Sequence, residues 1–529
     1  MRPFGFKVTS SRSDFTTTGP EDDTADGPFV AAGIDFDVTV TAVEWQSTDD
    51  SNNNDGDPDA GANLLDNDPT GNFGNGSPAP TVDITHALLA PTGSGTEPGK
   101  LSGDTSDTAG FSGGSTDATL KFDEVGIIEL IADLTDYLGE AGADVTGTRK
   151  DIGRFIPARF AVGDNDPAFR NGTGMWASPF TYMGQPFTFA SLQAPEITVT
   201  AVNTSGDKTF NYGGEGTGED FWKLGTPGRT YSDATNNKDA TFSADKTPGS
   251  ATWGDGSGSD TRADYDGQGT LTISGDEFTY DRIDANTKQA PFDAMIELNL
   301  AQGGLTDGDG VCFEPSGSCT GFTLDGDGDD STRDPIGSAG GTSTEQRYGR
   351  LLIDDASGPE TVPVRVPMRV EFWDSDTWQT NEQDVSTELA LGELELSNEA
   401  GTTQPGDSDI VVDIDAFSED GGDTHDAGET KIDTTNTPLP VRIGQDAGDI
   451  ENDPGTVEIV MLPPGAGNRG WVEIEALLAG ADQTYLQYDW TTDGNQDNAL
   501  DDNPRGRATF GIFAGEREQI YIREVFPAP

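Results

Sequence analysis

The sequence predicts an all-β protein made of tandem β-sandwich domains, immunoglobulin-like in order and carrying long acidic loops. Three observations lead there. Apolar and polar residues alternate with period two in short segments along the whole chain, as in strands with one buried face. No segment carries a long apolar stripe at helical spacing between capping residues. One order of landmarks occurs twice, which tandem sandwiches explain simply.

Taken in order, Met1-Arg-Pro-Phe-Gly-Phe-Lys-Val8 reads as a strand already under way, with no apolar leader, so the expectation is that an upstream region is absent from this chain. Alternation is clear at Phe36–Val43 and Thr119–Val125. The apolar stretch Val125–Ala132 is too short and too interrupted by Glu129 to cross a membrane, and short helical turns are expected between Ile131 and Leu138. Further strands are predicted at Glu196–Val202, Val362–Phe372 and Trp471–Ala476, with a closing hairpin of Ala508–Phe513 and Gln519–Phe526.

The repeat runs Phe4-Gly-Phe-Lys-Val8, Gly33-Ile-Asp-Phe36, Val38–Val43 and Thr70-Gly-Asn-Phe-Gly74 in its first copy. The second copy runs Ala158-Arg-Phe-Ala-Val162, Gly184-Gln-Pro-Phe187, Ile197–Val202 and Thr209-Phe-Asn-Tyr-Gly213. With acidic insertions at 49–61 and 324–335, these landmarks divide the chain into sandwich domains at 1–147, 148–345 and 346–529, the second ending in an acidic, Gly/Ser-rich linker.

Charge narrows the function. Ninety-five Asp and Glu face 30 Lys and Arg, a net −65 among 529 residues. Such a chain repels nucleic acid and anionic lipid, and attracts cations. Two readings of the acidity coexist: adaptation to salty surroundings, and loading with divalent metal. The only cysteines, Cys312 and Cys319, flank a Pro-Ser-Gly turn and are spaced to close a short disulfide, which suits an oxidising compartment. Two Cys alone make no zinc site, and the two histidines, His86 and His425, lie far from them.

Calcium is the cofactor the spacing suggests. From Asp489, the residues Thr491, Asp493, Asn495 and Asp497 place oxygens at alternate positions around Gly494. Leu500 stands where the closing ligand belongs, with Asp501 one residue later. Asp325, Asp327 and Asp329 alternate likewise, and the run Asp50–Asp59 is a weaker, Asn-rich version. The bland alternative for each is a solvated acidic loop. Nothing points to catalysis. Carboxylate pairs are everywhere in this chain, His86 sits in a strand-like context, and no nucleophile elbow, metalloprotease or phosphate-loop motif occurs. Trp373 and Trp378 flank Asp-Ser-Asp-Thr, and Trp176 sits in a Gly/Ser/Pro context. Such rings stack on sugars, although packing within a sandwich core is the plainer expectation.

Several segments together resemble a known family. They are Arg2-Pro-Phe-Gly-Phe6, Gly153–Phe160 with Phe180–Phe187, Tyr348-Gly-Arg-Leu351 with Val364–Trp373, and Tyr488-Asp-Trp490 followed by Arg507–Phe513 and Ile520–Val525. They are similar to the C-terminal region, a domain of unknown function, of MshQ-like proteins associated with the mannose-sensitive haemagglutinin type IV pilus. The stretch Asn381–Thr387 lacks the cysteine often found there in that family. The resemblance implies a secreted bacterial surface protein, a non-catalytic stalk or tip serving adhesion or display. Its expected partners are pilus proteins or a host or surface ligand, carbohydrate included. An assembly factor pairing strands with minor pilins is the alternative, and a secreted carbohydrate-active enzyme a more distant one.

Overall fold

The computed structural model describes residues 2–10, 27–52, 55–77, 79–169, 180–215, 219–235, 238, 241–244, 249–254, 264–301, 303–313, 319, 322–324, 334–338, 343–397, 411–412, 428–437, 440–443, 454–490 and 498–511. Among them every extended element is a strand, and the helical pieces are 3₁₀ turns of three residues.

The first sandwich is made of strands β1 (Gly5–Ser10), β2 (Asp35–Val43), β3 (Asp83–Ala90), β4 (Leu101–Gly103), β5 (Ser115–Phe122), β6 (Gly126–Leu134) and β7 (Val145–Phe155). They form two antiparallel sheets, β1-β2-β5-β4 and β3-β6-β7. Alternation on β2 sends Phe36, Val38 and Val40 inward and Asp35 and Asp37 outward. Those side chains meet Ile84, Leu130, Ala132, Ile152 and Phe155 of the facing sheet. Each buried ring or branched chain there is worth about 1.5–3 kcal/mol of removed apolar surface.

One expectation is corrected in this sandwich. Ile131 to Leu134 is the end of β6, held on both sides by β3 and β7, and only Tyr137–Gly139 turns as 3₁₀ helix. A β-branched run paired on both edges is better satisfied as a central strand than as a helical turn. Residue 147 lies inside β7, whose Phe155 completes the first core.

The second sandwich repeats the first at the level of register. In β1–β2, Phe6 pairs with Ala42 and Val8 with Val40. In the strands Arg159–Asp164 and Glu196–Val202, Phe160 pairs with Ala201 and Val162 with Val199. The strand Gln268–Ser274 then flanks the inner strand as β5 flanks β2. The landmark Gly184–Phe187 does not correspond to Gly33–Phe36, because Phe187 belongs to a separate short strand paired with Glu277–Tyr280, whereas Phe36 lies in β2 itself.

A third copy, invisible to landmark matching, follows. Leu351 of the strand Gly349–Ile353 pairs with Val370 of Val364–Trp373. One bonding pattern identifies the copies. Ala42 N donates to Gly114 O while Thr70 N donates to Ala42 O; Ala201 makes the same pair of bonds with Gly267 and Thr209, and Val370 with Gly455 and Asn381. Each glycine has positive φ, and a Cβ there would lie 2.0–2.6 Å from the carbonyl of Thr70, Thr209 or Asn381, which is why only glycine serves.

The end of the chain departs from the hairpin expectation. Arg505–Phe510 is an inner strand, antiparallel to Gly470–Ala476 and parallel to Ala356–Gly358. Gln519–Phe526 lies outside the described residues.

Candidate functional site

The two tryptophans and the start of the acidic 489–501 loop come together where the second and third sandwiches meet. Trp373 ends its strand, pairs across a tight hairpin with Trp378, and lies 5.7 Å from that ring. The turn between them is built by Asp374, whose carboxylate accepts from the backbone N–H groups of Asp376 and Thr377 at 3.0 Å each. The Thr377 and Asp376 backbone bonds hold its carboxyl below the usual range. This carboxylate, which a sugar-binding reading would enlist, is committed to the turn.

Beyond Trp378 the rings continue to Tyr488 at 5.3 Å and Trp490 a further 5.3 Å on. The Arg350 guanidinium lies 3.8 Å over Trp378 and 4.9 Å from Trp490, and bonds Glu371 at 2.7 and 2.9 Å. Lys288, from the second sandwich, lies 5.1 Å over Trp373. Also from the second sandwich, Arg282 donates to the carbonyls of Gly349, Gln487 and Thr484 at 3.1, 2.6 and 2.9 Å, and burial pushes its pKa down to about 10. Tyr348 and Tyr488 donate their hydroxyls to the carbonyls of Asp284 and Ala285. Trp373, Trp378 and Tyr488 pack on the second sandwich's core, so the plainer expectation describes them. The cluster is an aromatic–cation joint.

The acidic loop leaves from this joint. Asp489 accepts from Asn498 N at 3.1 Å, and Asp502 closes the neck by accepting from Trp490 N at 2.9 Å. Asp501 is exposed, and its carbonyl accepts from Gln487. Thr491, Asp493, Asn495 and Asp497 lie outside the described residues, as do Asp325, Asp327, Asp329, His425 and Trp176. Among the described residues, no group of three or more His, Cys, Asp or Glu is placed to hold a metal. In the run Asp50–Asp59, Asp50 accepts from Trp45 Nε1 and Gly56 N, and Asp59 from Ser51 N, so these carboxylates organise their own loop. Cys312 and Cys319 form the expected disulfide, Cα atoms 5.5 Å apart, and the Cys312 carbonyl accepts from Phe160 N. His86 sits 2.9 Å from the Pro98 carbonyl and edge-on to Phe122, in a packing position.

Sequence reasoning missed the joint between the first and second sandwiches. Glu124, 4% exposed, accepts from Val125 N at 2.8 Å, Phe210 N at 2.9 Å and Asn211 N at 3.1 Å. Burial raises its pKa to about 7 against those three donors. Nearby, Arg154 and Asp309 form a buried ion pair at 2.5 Å, and Thr204 donates to the carbonyls of Ala32 and Gly33. At the other joint, Tyr182 donates to Asp384 at 2.8 Å and accepts from Asn381 at 2.6 Å. No local pattern marks these residues, because, Val125 apart, their partners are 86 to 202 positions away.

Comparison with known proteins gives three family-model matches. They are the second domain of DUF6701 over residues 2–120, the third over 124–327 and the fourth over 347–525. The third-domain match begins ahead of β6, although β6 and β7 complete the first core. No curated protein matches the chain. Among solved structures it is similar to invasin, a bacterial integrin-binding protein, at 12% identity and a TM-score of 0.19, over 89% of this chain and 56% of that one. It is also similar to a putative membrane-anchored protein from Corynebacterium diphtheriae, at 9% identity and a TM-score of 0.13, over 65% of this chain and 58% of that one. The chain thus spans less than two thirds of either structure.

Proposed function

The chain belongs to the DUF6701 family, and from that premise we propose that it is a non-catalytic surface region, a stalk or tip that serves adhesion or display in association with a type IV pilus. The observation that carries this reading is the construction of the joints. Successive sandwiches are locked by shared apolar packing, by a buried ion pair and by side chains bonded to backbone carbonyls across the boundary. Joints of that kind suit a part that holds something at a distance, since hinged domains would meet through small polar contacts. The disulfide favours an oxidising, extracellular setting. Three side chains whose pKa values are strongly raised, Tyr182, Tyr212 and Glu124, are bonded into structural contacts, which favours a role without catalysis.

Calcium belongs to the same proposal. Asp489, Thr491, Asp493, Asn495, Asp497 and Asp501 supply the oxygens, and the ion would cancel clustered negative charge beside the second joint. A calorimetric titration of the chain should give heat and a raised melting temperature, both lost in Asp493→Asn combined with Asp497→Asn. No heat from the unmodified protein removes the metal from the account.

Deleting the encoding gene in its host, with electron microscopy of pili beside a surface-attachment assay, tests the function. Pili in normal number on cells that no longer attach support adhesion. Absent or shortened pili move the role to assembly through contacts with minor pilins, and normal pili with normal attachment overturn both.

A further inference from the structure

All three sandwiches carry the same leading end, and two of them use it in the same way. In the second, Asn203, Thr204 and Asn211 reach back onto the first: Thr204 bonds Ala32 and Gly33, and Asn203 Nδ2 bonds the Asp123 carbonyl. In the third, the shared register puts Trp373 where the second has Thr204, and Trp373 packs against the second sandwich under Lys288. Gly349, opposite the preceding Phe372, offers its carbonyl to Arg282.

The register places Trp45 of the first sandwich at the position of Thr204 and Trp373. Trp45 is 51% exposed, yet it is fixed by its bond to Asp50. Around it Phe4, Val43, Glu44 and Thr70 line a hollow of about 550 Å³. An ordered, half-exposed Trp at a position that forms a joint elsewhere in the same chain marks a surface made to be covered.

We propose that this leading end is the docking face for the trailing end of another sandwich of the same family, the first DUF6701 domain. The matches cover the second, third and fourth domains, which names the occupant. By analogy with the two joints in this chain, that domain should bring a backbone loop to Glu44 and Trp45 and a basic side chain over the Trp45 ring, where the exposed Glu44 supplies complementary charge. The proposal holds whether or not the protein is an adhesin.

Hydrogen exchange of the full chain, with and without a separately produced DUF6701 first domain, tests it. Amides at residues 43–46 and 70–73 should slow by about tenfold or more on addition, and Trp45→Asp should weaken binding by about tenfold or more. If Trp45→Asp does not fold, Glu44→Arg, on an exposed side chain, should weaken binding in the same way. Protection that is absent, that lies at the far end of the chain, or that both variants leave unchanged overturns the proposal. Concentration-dependent dimers of the chain alone, lost in Trp45→Asp, also overturn it by giving the face to a second copy.

Discussion

Glu124 makes the first joint sensitive to pH, in a direction its burial sets. The carboxyl titrates near 7 in the folded chain, because desolvation outweighs the bonds from Val125, Phe210 and Asn211, and neighbouring Asp123 adds repulsion. The ordinary value for such a carboxyl is about 4.5. A carboxyl with a raised folded pKa holds its proton more tightly in the folded state, so its contribution to stability is full below the unfolded value and is lost as pH rises through the folded one. Over that window the loss comes to about 3 kcal/mol, at about 1.4 kcal/mol per pH unit. Glu124→Gln removes the titration and turns an amide N–H₂ toward one of the backbone donors, leaving one buried N–H without an acceptor at a cost of about 1–3 kcal/mol. The variant should therefore be most destabilised near pH 5, and the gap should shrink by up to about 3 kcal/mol by pH 8. Denaturant melts of both proteins at fixed high salt, which screens the general acidity, measure the gap, and exchange at Phe210 and Asn211 localises it. A gap that is constant, or that widens toward pH 8, refutes the reasoning.

Three other outcomes are expected. Closing the loop from Cys312 to Cys319 restricts the unfolded chain by about 2.5 kcal/mol in the chain-entropy model, so reduction should lower stability by about that much and loosen the Phe160 amide that bonds Cys312; unchanged melting after verified reduction goes against it. Arg154→Met leaves Asp309 buried beside the joint without its partner and should cost about 3–5 kcal/mol, with the double variant Arg154→Met, Asp309→Leu recovering most of it; equal loss in both would show that the pair is not the cause. Raising salt from 0.01 M to 1 M shortens the Debye length from about 30 Å to about 3 Å and should raise the melting temperature of a chain carrying −65; a flat response would mean that self-repulsion is not a significant load.

The strands were legible because they are half-buried. Asp35-Phe-Asp-Val-Thr-Val40 displays its inward face in its alternation, and the same holds for Glu196–Val202. β6 was harder, since pairing on both edges and near-complete burial blur the period, and its β-branched residues were the better guide. The sandwich at 346–529 was expected, but its being a third copy of the repeat escaped because what repeats there is register and a positive-φ glycine, while the side chains changed: Phe6 and Phe160 become Leu351, and Thr70 and Thr209 become Asn381. The Trp373–Trp378 pair could be found in the sequence, but its partners Arg350, Tyr488 and Lys288 come from three other segments. Glu124 was hidden for the same reason, being one carboxylate among 95 acidic residues with two of its three donors more than 80 positions away.

The few cations deepen the acidity of the outer surface. Arg154 and Arg347 are less than a tenth exposed, and the side chains of Arg229 and Arg350 are 15% exposed. Each is bonded to a carboxylate within a joint or against a sheet. Sinking arginines inward leaves the outward charge more one-signed than the net count implies, so two copies approaching side by side repel at every face not screened by salt. On the docking proposal, a domain arriving at the leading end of the first sandwich exchanges that repulsion for apolar contact with Trp45 and Phe4 and brings its own basic group to Glu44. Between the second and third sandwiches the contacts are largely aromatic rings and backbone carbonyls. Packing and backbone hydrogen bonds weaken little as salt rises, so a joint built on them holds at salt concentrations that screen the surface charge.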